Sequence, residues 1–245
     1  MIKRYKRLKY IFEDSIEVYE YLDGRYGAPG EKRGDRKKAT PDEIRKRNQW
    51  TKERRARHKL KTWFHKNDYL VLLTYRVSER PKGMKEAKKD FQKAIRQTRR
   101  EYKKKGYELR WQRNIEVGER GAWHVHLVVN RIPDADLILK EAWEHGKVTF
   151  QHLYEAGGFH DLAGYITKTP ETANRYNEKL RETSYSASRN LPLKEPEKER
   201  LAYWRKEPKP NKGYYIDKET FHEDRNRFTG YKYRCYTMIK LDRRI

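Results

Sequence analysis

Hydrophobic and polar positions alternate through GAWHVHLVVN, Gly121 to Asn130, and then merge into an apolar run. A period of two marks a strand, on which residues two apart share a face. The spacing predicts a strand over residues 122–130 with His124 and His126 on one side. YELRWQRNIEV, residues 107–117, predicts the strand before it, and GERG turns the chain between them into a hairpin. Two more apolar runs, YLVLLTYRV (69–77) and KVTFQHL (147–153), read as strands. Between the first of these and the hairpin, Met84, Ala87, Phe91, Ala94, Ile95, Thr98 and Tyr102 recur at intervals that mark an amphipathic helix. RIPDADLILKEAWEHG (131–146) predicts a second helix and FHDLAGYITK (159–168) a short third one. The order is β-α-β-β-α-β followed by a helix. It predicts an α+β fold of ferredoxin-like split βαβ type, an antiparallel sheet with helices on one face and the other face free for a site. The histidine pair falls on a central strand, and the tyrosine-bearing helix follows the fourth strand.

The flanks are less regular. IEVYEYL (16–22) alternates as a strand, and DGRYGAPGEKRGDRKKA (23–39) reads as a basic loop. TPDE, Thr40 to Glu43, supplies a helix N-cap, a proline at the first helical position and a glutamate three residues after the cap, so a helix is expected from there to about Phe64. After Thr169, SYSASRNLP reads as irregular, EPEKERLAYWRK (195–206) as a short helix and YKYRCYTMIKL (231–241) as a final strand. The expected organisation is a basic strand, loop and helix over 1–66, a core over 67–192, and a C-terminal extension over 193–245 that either stands apart or completes the same domain.

Charge narrows the choice of partner. Sixty Lys and Arg face thirty-six Asp and Glu, a formal net charge of +24. Such an excess selects a polyanion, nucleic acid or an anionic membrane surface. No apolar run approaches the ~20 residues of a bilayer span, and MIKRYKRLKY lacks the apolar stretch of a secretory signal. Nucleic acid is therefore the expected partner, with no membrane. Residues 31–61 hold fourteen Lys or Arg against five Asp or Glu, read either as a solvated helix face or as phosphate contacts, Arg54, Arg55 and Lys59 among them. A single cysteine, Cys235, excludes an internal disulfide and a cysteine-cluster zinc site, as suits a reducing cytoplasm. Nineteen Tyr and six Trp interleave with the basic residues, a pattern suited to stacking on unpaired bases, although most must serve the core or an amphipathic surface.

The candidate chemistry lies in the hairpin. Glu116 precedes His124 by eight residues, and a turn centred near Arg120 sets the two opposite each other on one face. Two imidazoles and a carboxylate then converge, with Glu119 in the turn as a rival third ligand. Read alone, an HxH on a strand is equally a pair of hydrogen-bonded, partly buried histidines. Imidazole suits zinc, and carboxylate suits Mg²⁺ or Mn²⁺. The helical HExxH of zinc peptidases is absent, so a divalent Mn²⁺ or Mg²⁺ gripping a phosphate oxygen is the expected use. Downstream, Tyr165 and Lys168 are one helical turn apart and share a face. A phenol has a pKa of roughly 10 and attacks poorly at neutral pH, but a nearby ammonium or metal favours the phenolate. Lys168 could equally hold the DNA backbone, or the pair could be an ordinary amphipathic turn.

Taken together these residues resemble the HUH endonucleases, and in particular the rolling-circle replication initiator (Rep) proteins of bacterial plasmids and phages. VLLTYR is similar to their first motif, GAWHVHLVVNR to their second and LAGYITK to their third. SYSASRNLP resembles a stretch that follows the tyrosine helix in initiators akin to those of filamentous phages. The resemblance covers residues 69–192 in detail. It implies that His124 and His126 are the HUH pair, Glu116 the upstream acidic ligand, Tyr165 the nicking tyrosine and Lys168 its accompanying lysine. Thr169 stands where some initiators carry a second tyrosine, so a single-tyrosine enzyme is implied. Closing a circle would then need a second subunit of a homo-oligomer or another nucleophile such as Tyr154, Tyr176 or Tyr185. The implied activity nicks single-stranded origin DNA, or an origin hairpin, through a 5′-phosphotyrosine, leaves a 3′-hydroxyl for a host polymerase, and rejoins strands. Arg189 and Tyr185 would touch the DNA. No GxxxxGK[ST] is present, so strand separation falls to a host helicase or to supercoiling. An HUH transposase and a non-enzymatic basic DNA-binding protein are the alternatives.

Overall fold

The structure is a computed structural model describing residues 5–22, 39–118, 121–153, 159–167, 185–225 and 231–241. In chain order its elements are β1 (Tyr5–Ile11), β2 (Ser15–Leu22), α1 (Pro41–Trp63), β3 (Tyr69–Thr74), α2 (Met84–Lys104), β4 (Trp111–Val117), β5 (Trp123–Val129), α3 (Ala135–Ala142), β6 (Val148–His152), α4 (His160–Ile166), β7 (Tyr185–Ala187), β8 (Glu197–Leu201), β9 (Tyr214–Arg225) and β10 (Lys232–Lys240). The fold is mixed α+β, with two antiparallel five-stranded sheets. They belong to two compact units, Asn48–Leu193 and Met1–Arg47 with Lys194–Ile245.

In the unit Asn48–Leu193 the strands lie in the order β6-β3-β5-β4-β7, every neighbouring pair antiparallel. Along β5 the pleat divides the side chains. Val125, Leu127 and Val129 enter a core with Val71, Leu73, Ile115, Phe91, Ile95 and Tyr102, to which α3 adds Ile138 and Leu139. This is the face that α2 and α3 cover, as the periodicity of Met84 to Tyr102 requires. The opposite face is not bare. Val128 packs there with Ala56, Leu60 and Phe64, and with Ala163 and Ile166 of α4. The site thus shares its face with two helices rather than lying on an open sheet.

Several boundaries differ from expectation, each for a local reason. The β3 ladder stops at Thr74, where Thr74 N donates to Lys147 O (2.9 Å) and Trp143 Nε1 to Thr74 O (2.9 Å). A 3-10 turn, Val77–Glu79, follows. Gly146 lies so close there that a Cβ would stand 2.1 Å from Thr74 O, so only glycine fits. The helix expected over 131–146 is confined to Ala135–Ala142, entered through a left-handed Asp134 at φ 61°. β4 starts only at Trp111, after Gly106 turns the chain at φ 81°. Tyr185–Ala187, read as irregular, forms the edge strand β7 against Asn114 to Gln112.

In the other unit the order is β8-β1-β2-β10-β9. Residues 197–201 form β8, not the helix expected over 195–206. EKERL has helical propensity, but Glu199 opposite Arg7 binds Lys9 Nζ (2.5 Å) and Arg7 Nη1 (3.2 Å) across the ladder, and such pairing overrides propensity. The apolar core is small: Ile16, Val18, Tyr236 and Met238. Beside it, buried Glu20 accepts from Arg234 (2.5 Å) and Arg7 (2.5 Å), and the Trp204 ring lies 4.4 Å from the Arg234 guanidinium carbon. No helix among the described residues is long and apolar enough to cross a membrane.

Candidate functional site

The β4–β5 hairpin closes with Gly118 N donating to Ala122 O (2.8 Å), and Gly121 adopts φ 68°, which a side chain would strain. The resulting register sets Glu116 opposite His124 and Asn114 opposite His126, as the spacing predicts for the first pair. The three ligand-bearing residues therefore share the face of Val128. Glu116 Oε2 lies 3.4 Å from Nε2 of both His124 and His126. The three groups offer ligating atoms all within 4.8 Å of one another and could hold a metal ion.

Each member is held from behind. His124 Nδ1 lies 3.1 Å from Ala122 O; a proton placed on Nδ1 would leave the Nε2 lone pair facing Glu116. Asn114 Nδ2 donates to Glu116 Oε1 (3.0 Å), leaving Oε2 for the histidines. Burial by itself pushes the Glu116 carboxyl up, but the hydrogen bonds and charges of His124 and His126 outweigh it and hold it at about 2. The Glu116 hydrogen bond raises the His124 imidazole above its ordinary 6.5 against the effect of burial. Two nitrogens and one carboxylate oxygen, oriented by a carbonyl and an amide, suit a divalent cation, and the identity of the ion is left open by this donor set.

Tyr165 comes to the same place from α4. Ala163 and Ile166, three apart, are fully buried in the second core, which seats the helix against the sheet. The Tyr165 hydroxyl lies 2.8 Å from Nε2 and 2.9 Å from Nδ1 of His126, with ring centroids 4.6 Å apart at 73°. Burial pushes the phenol up to about 12, and the Glu116 charge adds to the effect. The C-terminal end of α4 is tied by α1: Lys52 Nζ donates to Thr167 O (2.9 Å), and Gln49 Nε2 donates to the same carbonyl (3.2 Å).

Of the residues expected at the site, Glu116, His124, His126 and Tyr165 are brought together. Lys168, the rival ligand Glu119, and Tyr154 and Tyr176 lie outside the described residues. Arg55 and Arg189 are exposed. Arg54 is half-buried with its guanidinium carbon 4.8 Å from the Trp50 ring centroid. Lys59 is half-buried, its ammonium pushed down by burial and by Arg55. Tyr185 donates its hydroxyl to Gln112 Oε1 (2.7 Å), and burial pushes the phenol well above its ordinary range. Sequence reasoning missed Asn114, although its place two residues before Glu116 on one strand puts both on one face. Gln49 and Lys52 were hidden in the basic run, because their partner is more than a hundred residues away.

Residues 68–170 match the family model of replication-associated proteins of the ORF2 type. The matched span runs from the start of β3 past α4 and so contains the three candidate ligands and Tyr165. This segment is similar to the replication-associated proteins of that family, in line with a rolling-circle replication initiator, and the match supports a role in DNA replication with DNA as partner. No curated protein and no solved structure matches the chain.

Proposed function

We propose that the protein is a replication initiator that nicks single-stranded origin DNA through Tyr165 and rejoins it. The observation that carries this reading is the contact of the Tyr165 hydroxyl with His126, whose Nε2 shares Glu116 Oε2 with His124. It puts a nucleophile against a candidate metal site, inside the segment similar to replication-associated proteins. The strand order, read as the split βαβ arrangement of the HUH endonucleases, supports it.

In this reading Glu116, His124 and His126 hold a divalent cation, Mn²⁺ or Mg²⁺, which when bound polarises and orients the scissile phosphate. The Tyr165 oxygen attacks phosphorus in line, and the bond from phosphorus to the 3′ oxygen breaks. The phenol proton has an acceptor in reach, His126 Nδ1 at 2.9 Å, and the departing 3′ oxygen takes a proton from solvent. The products are a phosphotyrosine ester on the 5′ side and a free 3′-hydroxyl that primes a host polymerase. The ester retains the energy of the broken bond, so attack by a new 3′-hydroxyl reverses it without ATP. Lys168 follows on the same turn of sequence and is assigned to favour the phenolate. We assign phosphate contacts to the exposed Arg55 and Arg189, and the shaping of that surface to the half-buried Arg54, Lys59 and Tyr185.

The test is a gel assay for covalent attachment. Purified protein is incubated with labelled single-stranded DNA from its replicon, with and without Mn²⁺ or Mg²⁺. A metal-dependent, protease-sensitive adduct is expected, and the sequence cut separates an initiator from a transposase. Origin DNA that is bound but neither cut nor attached under any metal overturns the enzyme reading and leaves a binding protein with structural histidines.

A further inference from the structure

The outer face of α2 carries charge that the site does not use. At 3.6 residues per turn, Lys85, Lys89, Lys93, Arg96, Arg100 and Lys103 fall within an arc of about 80° and follow one another over about 27 Å of helix. All six are exposed, and no carboxylate interrupts the stripe. Lys93 pairs with Glu144 (2.7 Å). Among the described residues the other five have no acidic partner, and Arg96 Nε donates only to Gln92 O (3.1 Å). With Arg99 and Asp90 at its margin, the stripe from Lys89 to Lys103 lines an open trough of about 590 Å³. Exposed helix cations ordinarily find carboxylates one turn away; leaving five uncompensated on one line costs self-repulsion that a polyanion would relieve.

The geometry points to a second nucleic-acid surface, one that holds the phosphate backbone of double-stranded DNA on the face of the sheet opposite Glu116, His124, His126 and Tyr165. A duplex is favoured over a single strand because the stripe has no aromatic side chain on which unpaired bases could stack. It is favoured over an anionic membrane because a helix lying on a bilayer must offer it an apolar face, and that face of α2, with Phe91 and Ile95, is buried in the core. Lysine and arginine on backbone phosphates give affinity without sequence preference. The surface would therefore grip duplex flanking a target strand irrespective of its sequence. This inference does not rest on the nicking reading, and Tyr165→Phe protein should bind duplex as the parent does.

The experiment measures binding of the full chain to a short labelled duplex of arbitrary sequence across a salt series. In Lys89→Gln/Arg96→Gln/Arg100→Gln the slope of log affinity against log salt becomes shallower by about 2.7, at ~0.9 for each phosphate no longer neutralised. Arg100→Gln alone gives about a third of that change, which keeps the test open if the triple variant misfolds. A control that removes equal charge elsewhere, Lys209→Gln/Lys212→Gln/Lys218→Gln, separates this surface from net charge. A stripe variant with an unchanged slope, or one no more affected than the control, overturns the inference. So does a variant that loses binding to anionic lipid vesicles while holding duplex as tightly as the parent.

Discussion

The Tyr165 hydroxyl reaches within 2.8 Å of His126 Nε2, although the two residues are 39 positions apart and lie on different elements. Because His126 is also one of three candidate ligands, nucleophile and metal site are one constellation, and they should separate cleanly by mutation. Tyr165→Phe removes only the oxygen. Loss of a nucleophile of this kind costs roughly three orders of magnitude or more in rate, so covalent adduct should vanish while origin DNA is still bound. Any adduct in Tyr165→Phe at the parent rate would mean that another residue attacks.

The pH dependence follows from the opposed shifts of Glu116 and His124. The Glu116 carboxyl, held at about 2 against an ordinary 4.5, contributes stability that is fully present above 4.5 and is lost as pH falls through about 2. His124, raised above 6.5, contributes stability that is fully present below 6.5 and is lost as pH rises through its folded value. Metal-free protein should therefore draw most from this pair between about pH 4.5 and 6.5. A bound divalent cation needs neutral imidazoles, so Mn²⁺ should move the optimum upward, and its affinity should fall as His124 protonates. Melting temperature against pH, with chelator and with Mn²⁺, reads both effects. Glu116→Gln should flatten the metal-free profile, and an unaltered profile would remove the pair as its source.

The β-α-β-β-α-β order and the meeting of Glu116 with His124 were legible because both rest on local spacing: the helical recurrence from Met84 to Tyr102, and eight residues across a tight turn. What the sequence hid depends on partners far along the chain. Residues 5–11, YKRLKYI, and 214–225, YYIDKETFHEDR, are too polar to announce strands, and each is fixed by its ladder neighbours. EKERL reads as helix until Glu199 finds Arg7 and Lys9, about 190 residues away. The packing of α1 and α4 on the site face was hidden for the same reason. Ala56 and Leu60 are the few apolar positions of a charged helix, and their partners Ala163 and Ile166 come a hundred residues later.

Gly146 allows the chain after α3 to press against the end of β3. A methyl group there would meet Thr74 O at 2.1 Å, with Thr74 C at 2.8 Å. Backbone cannot move aside as a flexible side chain can, so Gly146→Ala should destabilise the unit by about 1–3 kcal/mol or more. Thr74 pairs with His124, so the strain falls one strand from the site and should weaken metal binding as well. Equilibrium denaturation of the variant checks the first effect; a stability within error of the parent would show that the two backbones have room to part.

Asn114 offers the sharpest test of how Glu116 is aimed. Its side chain is fully buried, and Nδ2 donates to Glu116 Oε1 at 3.0 Å, so the carboxylate presents Oε2 to both histidines. Asn114 itself supplies no ligand in that trio. Residues that orient ligands in this way typically change metal affinity by about 10–100-fold when removed. Asn114→Ala should therefore weaken Mn²⁺ binding by about tenfold or more, and excess Mn²⁺ should restore activity that Tyr165→Phe never regains. Asn114→Asp puts a second carboxylate beside Glu116 and should raise its pKa, so that metal binding fails at a higher pH than in the parent. If calorimetry gives parental Mn²⁺ affinity for Asn114→Ala in a folded protein, the hydrogen bond does not position Glu116, and the hairpin backbone alone sets the site.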